Sequence, residues 1–141
     1  MNRNRRSRPL AALFVAASSL SASLTGCAGA PSAAAVQIEA HYSRFTPSTV
    51  TVSAGQPVRF VLRNHDPIDH EWIVGDATVH SHHRDGTEPA HGDRPTEQSM
   101  PALGFVRTTV TFDEPGEYRF VCHLPGHEAY GMVGTVIVSD G

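Results

Sequence analysis

The residues best equipped for chemistry lie close together near the C-terminus. The segment YRFVCHLPGHEAYGMVGTV holds Cys122, His127 and Met132. Tyr118, Phe120 and Cys122 alternate with Arg119 and Val121, so the spacing predicts a strand whose inward face ends at Cys122. Pro125-Gly126 then forms a tight turn that returns the chain to His127. A second short loop brings Met132 to the start of a final strand, Val133 to Val138. One loop thus presents a thiolate, an imidazole and a thioether. A fourth donor must come from a distant strand. His70 suits, because it opens a strand, shares a face with Trp72 and Val74, and follows the turn Asn64-His65-Asp66-Pro67. His65, five residues earlier, is its rival. Two His and one Cys with a weak axial Met form the ligand set of type 1 copper. The thiolate and thioether suit Cu(I), and the imidazoles also satisfy Cu(II).

Such a set needs a stiff frame, and the rest of the chain reads as strands. Val36 to Ala40 and Thr49 to Val52 alternate, and Val58, Phe60 and Leu62 face away from Arg59 and Arg63. Val106, Thr108, Val110 and Phe112 share another face before the turn Asp113-Glu114-Pro115-Gly116. No segment after the first 26 residues carries a convincing helical period. About seven or eight short strands with Gly/Pro turns predict an all-β, antiparallel-rich sandwich. Gly75 to Leu103 breaks the rhythm and reads as a long loop holding His80, His82, His83 and His91. These four are expected to be solvated for the most part, with a second metal site as the sharper reading. His123 points away from Cys122 and is expected to face solvent.

The N-terminus reads as an export signal. Basic residues 3–8 precede an apolar run, Leu10 to Leu24, which falls short of the ~20 residues a spanning helix needs. Leu24-Thr25-Gly26-Cys27 resembles a lipobox, which would make 1–26 a signal peptide and Cys27 a lipidated N-terminus. Residues 27–35 read as a flexible tether and 36–141 as the folded domain. The protein is then expected outside the cytoplasmic membrane, anchored by acyl chains. With Cys27 acylated, Cys122 has no disulfide partner, since the chain has only two cysteines. All eleven basic residues are Arg. Four precede Cys27, leaving seven against fourteen acids, a formal −7. That charge argues against a nucleic-acid binder and against adhesion to anionic lipid by charge alone.

The motif C-x4-H-x4-M after Tyr-x-Phe-x-Cys, followed by Gly-Thr-Val, resembles the cupredoxins of the plastocyanin/azurin class, over about residues 36–139. Asn64 and His70-Glu71-Trp72 resemble the family's first-histidine segment. The resemblance implies a Greek-key β-sandwich and one type 1 copper ion on His70, Cys122, His127 and Met132. It implies that the Glu71 backbone N–H reaches the thiolate and that His127 has an edge near the surface. It also implies a monomeric one-electron carrier between extracytoplasmic redox proteins, not an enzyme. The alternative is a copper-binding protein for scavenging or delivery. The Gly75–Leu103 insertion and His123 depart from the family pattern.

Overall fold

A computed structural model describes residues 34–86 and 94–140. Cys27, the signal and most of the tether lie outside the described residues, as does His91. Among the described residues there are nine strands and one helix: β1 (Ala34–Ala40), β2 (Phe45–Thr46), β3 (Thr49–Ser53), β4 (Pro57–Asn64), β5 (His70–Gly75), α1 (Ala77–Arg84), β6 (Glu97–Met100), β7 (Phe105–Thr111), β8 (Gly116–Val121) and β9 (Val133–Ser139). They form two sheets, ordered β2-β1-β4-β7 and β3-β9-β8-β5-β6. Most pairings are antiparallel, while β1 with β4 and β3 with β9 run parallel. The expected all-β sandwich is present.

Alternation in the sequence becomes the two inner faces. In β4, Val58, Phe60 and Leu62 are buried while Arg59 and Arg63 are exposed. They meet Trp72, Phe120 and Val136 of the opposite sheet in one apolar core. Phe60 and Trp72 pack at a 43° tilt with ring centroids 4.8 Å apart, and Phe45 meets Phe120 edge-on at 5.2 Å. Such aromatic pairs stabilise beyond the area they bury. Gly134 in β9 makes room for this packing: a Cβ there would sit 2.1 Å from Phe120 Cζ and 2.7 Å from the Ser48 carbonyl oxygen. The outcome is a stiff floor under the ends of β5 and β8, where the candidate donors emerge.

The segment from Gly75 to Leu103 is not the structureless loop expected from its composition. It contains α1, and β6 pairs antiparallel with β5. The helix has no apolar stripe, which hid it, but its start is well capped. Asp76 accepts hydrogen bonds from the Thr78 and Val79 N–H groups at 2.9 and 3.0 Å. Gly75 lets the helix close on the strand, since a Cβ there would lie 2.6 Å from Val79 Cβ. Ile73 and Val121, paired across β5 and β8, are fully buried yet stand outside the main core. Helix α1 packs against β5 here and reaches β8 through His80, whose Nε2 lies 3.3 Å from the Arg119 carbonyl oxygen. This sheet therefore has two covered faces in its middle.

Candidate metal centre

His70 is the first residue of β5 and is fully buried. Its Nε2 lies 2.9 Å from Asp66 Oδ2. The same carboxylate accepts the Tyr42 and Ser43 N–H groups, each at 2.8 Å. Tyr42 and Ser43 hold left-handed φ values of 53° and 51°, which turn consecutive amides towards one acceptor. Burial works to raise the Asp66 carboxyl, but the Ser43 and Tyr42 amides and His70 outweigh it and hold it below its ordinary value. Asp66 is therefore an acceptor, so Nε2 of His70 carries the ring proton and Nδ1 presents its lone pair. Asn64 braces the loop beneath. Its Nδ2 donates to the carbonyls of Ile68, Met100 and Pro101 at 2.7, 3.1 and 3.1 Å, and its Oδ1 accepts the Asp66 N–H at 2.9 Å.

Cys122 follows β8 and is fully buried. The Glu71 N–H donates to its Sγ at 3.3 Å, the contact that the family resemblance implied. Burial pushes the Cys122 thiol up to about 11, with the Glu71 and Leu124 amides pulling the other way. Ligation therefore requires the site to give up a proton. The loop between Cys122 and Met132 is tied by its own backbone: His127 N–H to the Leu124 carbonyl at 3.0 Å, Met132 N–H to the His127 carbonyl at 3.0 Å, and Cys122 N–H to the Met132 carbonyl at 3.2 Å. His127 comes back over the site, its Nδ1 3.1 Å from His70 Nδ1 and 3.2 Å from Cys122 Sγ. Burial first, then the neighbouring His70, holds its pKa below the ordinary value and favours the neutral ring that can ligate. It remains half-buried, so one edge reaches the surface. Met132 is fully buried at the start of β9.

Among the described residues, the donor atoms of His70, Cys122 and His127 form a group lying within 4.8 Å of one another. His65 is not part of it: it is 42% exposed and 3.8 Å from Glu39 Oε2. Asp66 escaped the sequence reading, which took it only as part of the turn before His70. Two imidazole nitrogens converging with a buried thiol, one of them fixed in its tautomer by a carboxylate, fit a borderline-to-soft cation.

His123 overturns an expectation. It does point away from Cys122, but its imidazole is 3% exposed rather than solvent-facing, because α1 covers that face of the sheet. His80 of α1 is likewise buried, at 2% exposure, while His82 is exposed.

Residues 32–139 match the copper-binding proteins of the plastocyanin/azurin family, and the chain belongs to that family. It is a cupredoxin, and copper is the metal its donor set fits. It is similar to the "copper-resistant cuproprotein CopI" of Rubrivivax gelatinosus, at 35% identity over 99 residues, 67% of this chain and 59% of the relative. The protein of that name from Pseudomonas aeruginosa is 29% identical over 126 residues, covering 67% of this chain and 70% of the relative. The chain thus spans about three-fifths to seven-tenths of the length of these relatives. Two blue-copper folds superpose on it. Auracyanin from Roseiflexus castenholzii does so with a TM-score of 0.64, at 21% identity, over 76% of this chain and 98% of the other. Auracyanin A from Chloroflexus aurantiacus gives 0.62, at 22% identity, over 77% and 100%. At such identities the likeness is one of fold.

Proposed function

We propose that this protein is a one-electron carrier working outside the cytoplasmic membrane, anchored through lipidated Cys27. His70, Cys122, His127 and Met132 would hold one copper ion. Copper bound there supplies a reversible one-electron change. The chain's own residues do the rest. Asp66 fixes the His70 ring, the Glu71 N–H stabilises charge on the Cys122 sulfur, and burial keeps water out. The observation that carries the reading is that donor atoms from β5 and from the loop after β8 converge within 4.8 Å of one another. A site held by stiff sheets reorganises little when its charge changes. We assign the protein no catalysed reaction. Its partners are extracytoplasmic redox proteins, met at the half-buried edge of His127. Exposed Tyr42, Ile68 and Leu103 stand on the loops around Asp66 and supply apolar contact area nearby.

A second reading, copper scavenging or delivery, is favoured by the similarity to proteins called copper-resistant and by the histidines gathered around α1. The two readings separate in one set of measurements. A carrier loaded with one equivalent of copper is intensely coloured, bleaches reversibly with reductant and retains Cu(I) against an apo acceptor. A delivery protein surrenders Cu(I). Cys122→Ser should abolish the colour and leave the far-ultraviolet circular dichroism intact. Colour that survives this substitution contradicts the ligand assignment.

A further inference from the structure

Cys122 and His123 are consecutive, so they project to opposite faces of the β5–β8 region. Cys122 enters the centre described above. His123 enters a second cluster beneath α1. His80 and His83, three residues apart on the helix, meet it there. The His80 and His123 ring centroids are 5.2 Å apart, and His83 stacks on His123 at 5.4 Å with 24° between planes. All three imidazoles are nearly inaccessible.

The proton positions decide what this cluster can do. His80 Nε2 lies 3.3 Å from the Arg119 carbonyl oxygen, so it carries the proton and Nδ1 presents a lone pair. That Nδ1 is 3.0 Å from His123 Nε2. His123 Nδ1 has no hydrogen-bond partner and lies 3.6 Å from Glu128 Oε2. Two tautomers of His123 are open. With the proton on Nε2 it donates to His80, but a bare, buried Nδ1 then faces a carboxylate. With the proton on Nδ1 it faces Glu128 favourably, but two lone pairs then oppose each other at 3.0 Å. Each tautomer leaves a defect, and a cation between His80 Nδ1 and His123 Nε2 removes the second. The arrangement repeats that of the first centre, where Asp66 fixes His70 and leaves two ring nitrogens facing each other at 3.1 Å. Two nitrogens each ~2.0–2.1 Å from one ion stand about 2.9 Å apart when cis in a square-planar centre and about 3.3 Å apart in a tetrahedral one, values that bracket the separation here.

We propose that His80 Nδ1 and His123 Nε2 form a second metal site, distinct from the cysteine centre and selective for divalent first-row ions. Glu128 and the Arg119 carbonyl orient the two rings, and His83 packs alongside. With nitrogen donors and no thiolate, the site takes Cu(II) ahead of Zn(II) or Ni(II) by the ordinary affinity order. Arg84 holds Glu128 at 2.6 Å, which balances the charge of that carboxylate and fixes its position. A cleft of about 390 Å³, lined by Arg84, His123, Leu124 and Glu128 among others, gives an ion its approach from solvent.

The full chain is titrated with Cu(II) and followed by electron paramagnetic resonance and optical absorption. Two equivalents should bind. The second should give a signal with a large parallel hyperfine splitting and nitrogen superhyperfine structure, and should add no intense visible band. In Cys122→Ser the first equivalent should lose its colour while the second signal persists, so failure of the carrier reading and failure of this one are separable. His80→Gln and His123→Gln should each weaken the second equivalent at least tenfold, with thermal melts checking that the fold holds. His82→Gln, on the exposed side of α1, should leave it unchanged. A single equivalent in the full chain overturns the proposal, as does a second one that follows His82 or ignores both His80 and His123.

Discussion

Asp66 positions a donor of the cysteine centre without belonging to the donor set itself. Its carboxylate holds the His70 ring at 2.9 Å and is itself held by two amides. Removing it in Asp66→Ala leaves the part-buried Tyr42 and Ser43 N–H groups without their protein acceptor, a loss of about 0.5–1.5 kcal/mol for each hydrogen bond. It also frees His70 to take the wrong tautomer. Loss of such an outer-shell partner typically weakens metal binding 10–100-fold. Copper affinity of Asp66→Ala, measured by competition with a chelator, should fall by about that factor. Unchanged affinity would mean that the sheet alone positions His70. At this scale the sequence was informative. Cys122, His127 and Met132 could be read because a strand, a Pro-Gly turn and a short loop bring them together locally, and the contact of the Glu71 N–H with Sγ was implied with them. Asp66 was not read, because its role depends on amides at Tyr42 and Ser43, more than twenty residues away.

Helix α1 is the element the sequence concealed. Its inner face consists of Val79, His80 and His83, so the expected apolar period is replaced by histidines that are buried only because of what they meet. His123 was misjudged for the same reason: alternation along the strand gives the direction of a side chain but not whether something covers that face. The strands, by contrast, were legible wherever one face met the core and the other met water, as in β4. The helix is tied to the centre's loop by Arg84, which donates to both oxygens of Glu128 at 2.9 and 2.6 Å. The Arg84 guanidinium holds the Glu128 carboxyl below its ordinary value of 4.5, against the opposing effect of burial. A carboxyl whose folded value is depressed contributes stability that is present above its unfolded value and lost as pH falls through the folded one. Both side chains are partly exposed, so solvent screening keeps the contribution to about 0.2–1 kcal/mol. Urea melts should show Glu128→Gln less stable than the parent by that amount at neutral pH, with the difference lost as pH falls through the depressed folded value of Glu128. A difference that persists in acid would place the effect in packing rather than charge.

For the molecule as a whole, a sandwich with a stiff aromatic core presents donors from the β4–β5 loop side and the β8–β9 loop at one end, and a helix closes the back of the same strands. Phe60, Trp72 and Phe120 fix the separation of the sheets, and the sheets in turn fix the site. The sequence carried this architecture because cores are written as alternation, and it carried the site because a strand end and a short loop are local. It did not carry the covered second face, which exists only once the chain is folded. The central claim is that a single buried sulfur and two imidazoles bind one copper ion. X-ray absorption at the copper K edge, on full chain loaded with one equivalent of Cu(II), tests it most directly. The spectrum should show one short copper–sulfur distance with two imidazole nitrogens bound to the copper, and loss of the sulfur in Cys122→Ser. Copper bound by nitrogen and oxygen alone in the parent protein would contradict that claim.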